Sequence, residues 1–255
     1  MDATPTRWLN RQRRPIQWLL LALCLLPASD MLLAYLRDDL GINGFETLIQ
    51  RSGRDALLLL LLTLAITPLR RLLSRLAVVL DITWGRRLCD WNWLVSLRRL
   101  LGLASFAYAS LHAGIYLHFE LDWSIDELWL EISERYFLAV GLLAYLALIP
   151  LAITSTDGMM RRMKKHWRRL HRLIYPVALA GCLHFWLQSK PGESLWLVYT
   201  LVTLALLGYR IRLVERRVDP DGLAPPRNRS ARTPVHPGLD QHRQVVEGKS
   251  GESQY

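Results

Sequence analysis

Apolar residues in this chain come in long blocks rather than at the short periods of a soluble amphipathic helix or a half-buried strand. Six blocks stand out, at 16–36, 56–69, 100–119, 136–154, 170–189 and 194–214, separated by dense clusters of charge. A hydrocarbon core of about 30 Å is crossed by roughly 20 apolar residues in helical form. In that medium each backbone N–H and C=O must be satisfied within the segment, and the alternation of a membrane barrel is missing. The pattern therefore predicts an all-α integral membrane six-helix bundle, with five spans as the nearest alternative. The second block is short and ends at Pro68, so it is expected to borrow flanking residues or to tilt little. The first contains Pro27 and Asp30, where a helix end or break is expected.

Arg11, Arg13 and Arg14 precede the first block and invite comparison with a signal peptide. The apolar run exceeds a signal core and no Ala-x-Ala site follows it, so an uncleaved first helix is expected. Charge then sets the orientation. Of 255 residues, 32 are Lys or Arg and 22 are Asp or Glu, a net charge of +10. The cations cluster before the first block, after the second (Arg70 to Arg99), after the fourth (Arg161 to Arg172) and after the sixth. The loop after the third block is acidic, with Glu120, Asp122, Asp126, Glu127, Glu131 and Glu134 against Arg135. The positive-inside rule places both termini in the cytoplasm, so the excess charge is a topology signal rather than a nucleic-acid footprint. Three parts are expected: a basic cytoplasmic N-terminus (1–15), a membrane domain (16–214) and a cytoplasmic tail (215–255). That tail is too polar to bury a core, is expected to be disordered, and carries no GxGxxG fingerprint.

Seven histidines carry the candidate chemistry. His236 and His242 fall in the polar tail, His118 falls at the outer edge of the third block and His166 in the basic loop after the fourth. His112, His171 and His184 lie inside apolar blocks, where an ionisable group marks a functional site because its desolvation must be offset. Neutral imidazole is a common axial ligand of haem iron. The stretch from Arg99 to His112 and the stretch from Leu170 to His184 are nearly equal in length. Both histidines therefore sit roughly 20 Å from the inner face, at about 1.5 Å per residue, a depth at which they can share one iron. His171 precedes His184 by a similar stretch and suits a second haem nearer the cytoplasm. An ideal helix leaves those two side chains roughly 140° apart, so tilt or a bend is required, and Pro176 between them can supply a bend. No histidine on the third block opposes His171. Arg98, nearly on the His112 face and toward the cytoplasm, is expected as a phosphate anchor or propionate partner, with iron ligation as the less favoured role. Cys24, Cys89 and Cys182 form no CxxCH, which excludes covalently attached haem.

Further residues make the chain recognisable. The third block reads Arg98-Arg99-Leu100-Leu101-Gly102-Leu103, then Phe106, Tyr108, His112 and Tyr116. Trp167-Arg168-Arg169-Leu170-His171-Arg172-Leu173-Ile174-Tyr175 leads to His184, and Thr67-Pro68-Leu69-Arg70 and Leu151-Ala152-Ile153-Thr154-Ser155 close two other blocks. Together these closely resemble the MsrQ (YedZ) family of haem-binding proteins, within the ferric-reductase-like transmembrane family. The long polar tail and the Arg-rich N-terminus depart from that pattern.

The resemblance implies a multi-pass protein of the bacterial inner (plasma) membrane that holds haem b, one or two per chain. It implies His112, His171 and His184 as haem-ligand positions. It further implies electron transfer from the quinone pool or a cytoplasmic flavin reductase to MsrP, a periplasmic molybdopterin enzyme that reduces methionine sulfoxide in oxidised proteins. The substrate-reducing site then belongs to the partner. FMN is a second cofactor associated with the family, and no residue here is assigned to it. Phe106, Tyr108, Tyr116, Phe185 and Trp186 are candidates to line the haems, and equally to form an interfacial belt. Two rivals are a ferric-reductase-type carrier with another partner and a proton-coupled small-solute transporter using the histidines as a relay.

Overall fold

The computed structural model describes Trp8 and residues 11–218, and every regular element among them is helical. In chain order these are α1 (Arg13–Leu36), α2 (Gly44–Val79), a 3-10 turn at Leu88–Trp91, α3 (Asn92–Phe119), α4 (Ile125–Glu134) and α5 (Tyr136–Ile153). Then come α6 (Asp157–Met163), α7 (Lys165–Leu170), a second 3-10 turn at His171–Leu173, α8 (Ile174–Gln188) and α9 (Leu195–Val218). By contacts the chain divides into Met1–Arg212 and Leu213–Tyr255, and of the second unit residues 213–218 are described. The expectations for 1–7, 9, 10 and 219–255, including His236 and His242, lie outside the described residues.

Among the described residues four helices are long and apolar enough to cross a membrane: α1, α2, α3 with its leading turn, and α5. The apolar stretch of α9, Leu195–Ile211, is shorter. The fifth block does not form one continuous helix. Its 3-10 turn at His171–Leu173 leaves α8 with 15 residues, about 22 Å at 1.5 Å per residue.

Two helix ends expected at prolines do not occur. Helix α2 runs 36 residues straight through Pro68, and α1 continues past Pro27 and Asp30 to Leu36. Proline removes one backbone donor and crowds the carbonyl one turn back. Neighbouring helices can re-satisfy the freed groups, and at Pro27 one does so visibly. The Tyr108 hydroxyl of α3 accepts from the Ala28 N–H at 2.9 Å and donates to the Cys24 carbonyl at 2.7 Å. Those are the two groups an unbroken helix would join directly, so a buried side chain is inserted into the ladder. Asp30 pairs with Arg51 of α2 at 3.1 Å on the exposed surface.

Helix α2 is central because both of its sides are covered. Leu59 and Ile66 pack with Cys24 of α1 and with Leu94, Leu97, Leu101 and Tyr108 of α3. On the other side Leu57, Leu60, Leu61 and Leu64 meet Leu148 of α5 and Val177, Ala178 and Cys182 of α8. The most extensive pairings are α2 with α3 and α5 with α8. Helix α9 joins α8 through Thr203 against Cys182 (3.1 Å) and Tyr199 edge-on to Phe185. Outward faces stay apolar, as at Leu19, Leu23, Leu26 and Leu33 of α1, which suits a lipid solvent.

A paired-histidine candidate site

The two strongest helix pairs each deliver one histidine. His112 stands on α3 and His184 on α8, and the imidazole rings meet with centres 6.0 Å apart and planes at 85°. Each ring is fixed by the partner helix of its own pair. His112 Nδ1 lies 2.9 Å from the Ile49 carbonyl of α2, and His184 Nδ1 lies 2.8 Å from the Phe137 carbonyl of α5. A carbonyl can only accept, so each Nδ1 carries the hydrogen and each Nε2 keeps a free lone pair. Ser52, whose hydroxyl donates to the Leu48 carbonyl at 2.8 Å, stands 3.4 Å from His112 Nδ1.

Glycine makes both approaches possible. A Cβ on Gly141 would meet the His184 ring at 2.8 Å, closer than real side chains pack, and one on Gly53 would meet the His112 ring at 3.0 Å, so tight that the ring would have to shift. Gly53 stands one helical turn after Ile49, and Gly141 one turn after Phe137. Both histidines therefore sit in the same kind of notch: a carbonyl on the partner helix and a glycine one turn on.

The separation has a chemical meaning. A metal ion between two imidazole nitrogens at about 2.0–2.1 Å each, with about 1.1 Å from nitrogen to ring centre, puts the centres roughly 6.3 Å apart. The observed 6.0 Å is close to that, and both Nδ1 atoms have the outer-shell partner that metal-binding histidines normally use. The donor set thus fits one metal held from two sides. No group of three or more His, Cys, Asp or Glu with metal-binding geometry occurs among the described residues.

His171 is built differently. It opens the 3-10 turn that interrupts the fifth block just before the helix containing Pro176 begins at Ile174. Its ring stacks on Trp167 at 4.0 Å, and Trp167 is itself held by donation from Nε1 to the Thr154 carbonyl at 3.0 Å. Nδ1 lies 3.2 Å from the Trp167 carbonyl, and Nε2 is 3.5 Å from the Ser155 hydroxyl. No second histidine faces it among the described residues. Arg98 turns its guanidinium to the Thr67 hydroxyl. Its neighbour Arg99 donates to the Ser155 carbonyl and pairs with Asp157 at 2.7 Å, holding that carboxyl below the usual carboxylate range.

The remaining histidines and aromatics have other partners. His118 accepts from Trp123 Nε1 at 3.3 Å, and His166 is exposed. Tyr108 is committed to α1, and Tyr116 donates to Glu131 of α4 at 2.8 Å. Phe106 stacks on Tyr145, while Trp186 meets Trp196. Sequence reasoning missed Gly53, Gly141 and the carbonyls of Ile49 and Phe137. A glycine inside an apolar helix is the one available signal, since it marks close interhelical approach.

Residues 52–182, which include most of α2–α3 and of α5–α8, match the family described as ferric reductase like transmembrane component. A protein-methionine-sulfoxide reductase heme-binding subunit MsrQ from Herminiimonas arsenicoxydans is 42% identical over 179 residues, covering 70% of this chain and 74% of the relative. The MsrQ of Xanthomonas campestris pv. campestris (strain B100) is 41% identical over 74% of this chain and 80% of its own. That of Azospira oryzae is 38% identical over 81% and 82%. No solved structure matches the chain significantly. On these matches the chain belongs to the ferric-reductase-like transmembrane family, and within it to the MsrQ proteins.

Proposed function

We propose that this chain is a transmembrane b-type cytochrome, in which His112 and His184 would together hold one haem. The observation that carries the reading is the pair of rings 6.0 Å apart, each with Nδ1 already bonded to a carbonyl. Haem, when bound, supplies the one-electron chemistry. The chain's part is to orient two nitrogens, exclude water and tune the site by ligand and burial. Held by two of the chain's own imidazoles, the haem would supply electron transfer rather than oxygen chemistry. His171, clamped on Trp167, is the chain's ligand for a second haem toward the Arg-rich end, where Arg98 supplies a cation.

The charge pattern supports six membrane segments with both termini cytoplasmic, α8 and α9 forming the last two against their neighbours. Electrons then pass from the quinone pool or a cytoplasmic flavin reductase to a periplasmic molybdopterin methionine sulfoxide reductase (MsrP). The names of the relatives support that partnership. The methionine sulfoxide reduction takes place on the partner.

Reduced-minus-oxidised absorption spectra of the purified chain and of His112→Ala, His184→Ala and His171→Ala test the reading. Loss of the same haem in the first two variants is expected, with a different haem affected in the third. Full haem content in both His112→Ala and His184→Ala would overturn the pairing, and a wild-type protein lacking any Soret band would favour a transporter.

A further inference from the structure

Four helices each bring one side chain to a single point at the Arg-rich end of the bundle. Arg98 of α3 and Arg210 of α9 both donate to the Thr67 hydroxyl oxygen of α2, Arg210 at 2.9 Å. Arg210 also donates to the Tyr175 hydroxyl of α8, and its guanidinium carbon lies 5.1 Å from the centre of that ring. All four residues are half-buried. The ion pairs among the described residues include neither arginine, and Arg98 Nε is buried without a hydrogen-bond partner.

Two guanidinium groups sharing one neutral oxygen repel each other, and the repulsion grows as the local dielectric falls. A buried cation with an unsatisfied donor carries a desolvation cost that a paired anion removes. The guanidinium fork is shaped for an oxyanion, taking a carboxylate or phosphate through two parallel N–H donors. We propose that Arg98, Arg210, Thr67 and Tyr175 form a binding site for one oxyanion, a carboxylate or a phosphate, held between two guanidinium forks. The carboxylate source is a haem propionate and rests on the haem reading above. The phosphate source, a lipid headgroup or the phosphate of FMN, does not.

The full chain purified in detergent serves for the test, as wild type, Arg98→Gln, Arg210→Gln and Arg210→Lys, with Arg161→Gln on the exposed surface of α6 as control. Three quantities are read: the midpoint potentials of bound haem, the phosphorus per chain after exhaustive delipidation, and the FMN fluorescence released on denaturation. A propionate in the site predicts that either Gln variant lowers one haem potential, because a cation opposing the added electron is gone, while phosphorus is unchanged. A lipid phosphate predicts loss of about one tightly held phosphorus per chain with potentials unmoved. FMN predicts that the lost phosphorus is matched by lost fluorescence. Arg210→Lys retains part of each effect, since it keeps the charge and loses the fork. Should a Gln variant not fold, Arg210→Lys and Tyr175→Phe are read in the same way. Potentials, phosphorus and FMN all equal to wild type in the folded variants would sink the proposal, whatever the haem content shows.

Discussion

The two ends of the bundle hold histidine by different means. Around His112 and His184 the restraint is backbone: a carbonyl on each partner helix and a glycine that admits the ring. Around His171 the carbonyl that Nδ1 meets belongs to the same stretch of chain, Trp167, and what neighbouring groups add is side chain: an indole stacked on the imidazole, with two half-buried arginines toward the same end of the bundle as the charge supply. Backbone restraints are set by the helix pair itself and tolerate little change. Side-chain restraints can be altered one at a time, so the second region is the more adjustable.

That contrast can be broken most forcefully at the glycines. Gly141→Ala places a carbon 2.8 Å from the His184 ring, and Gly53→Ala one at 3.0 Å from His112. Haem affinity at the paired site is expected to fall about 10- to 100-fold, as when outer-shell support of a metal ligand is lost, with Gly141 the worse. Haem per chain after a dilution series measures it, and unchanged retention in both variants would contradict the notch. Trp167→Leu should act on the other region alone. It removes the stacked face and the anchor to Thr154, so the haem assigned to His171 should bind roughly 10-fold more weakly while the paired-site spectrum persists. Equal loss from both haems would show that the regions are not separable.

Smaller effects test the frame around the sites. Tyr108→Phe leaves the Ala28 N–H and the Cys24 carbonyl without their bridge, and about 1 kcal/mol of stability should go, read as a lower unfolding temperature. Haem spectra should not change, because Tyr108 faces α1. The smallest effect is expected at Asp157. Its carboxyl is held below its usual value, chiefly by hydrogen bonding from Arg99, so the folded form takes up its proton less readily than the unfolded form. The stabilisation is complete above the unfolded carboxylate value, about 3.9, and disappears as pH falls through the lower folded value. Wild type should melt slightly above Asp157→Asn near neutral pH, and the two should converge under strongly acidic conditions. Salt should shrink the difference, since the pair is exposed.

The apolar blocks made the helical membrane class legible, because lipid forces a long uninterrupted pattern that soluble folds rarely show. Depth counting also brought His112 and His184 to one level, since a regular rise per residue converts sequence distance directly into height. The prolines misled: Pro68 and Pro27 read as ends, yet α2 and α1 continue past them, α1 with the help of a side chain from an adjacent helix. A break in the fifth block fell at His171 itself, and a 3-10 turn has no residue signature comparable to proline. The carbonyl contacts were invisible for a simpler reason. Every residue has a carbonyl, so only the packing of two helices decides which one an imidazole reaches.

Helix α2, covered on both sides, also bears on the order in which the protein is made. Ile49, Gly53 and His112 lie on a hairpin that leaves the ribosome first, whereas Phe137, Gly141 and His184 follow on a second one. The early hairpin can pack and preset one ring long before its counterpart exists. Cofactor capture from both sides is then a late event in biogenesis, open only to chains whose second hairpin has docked against the first.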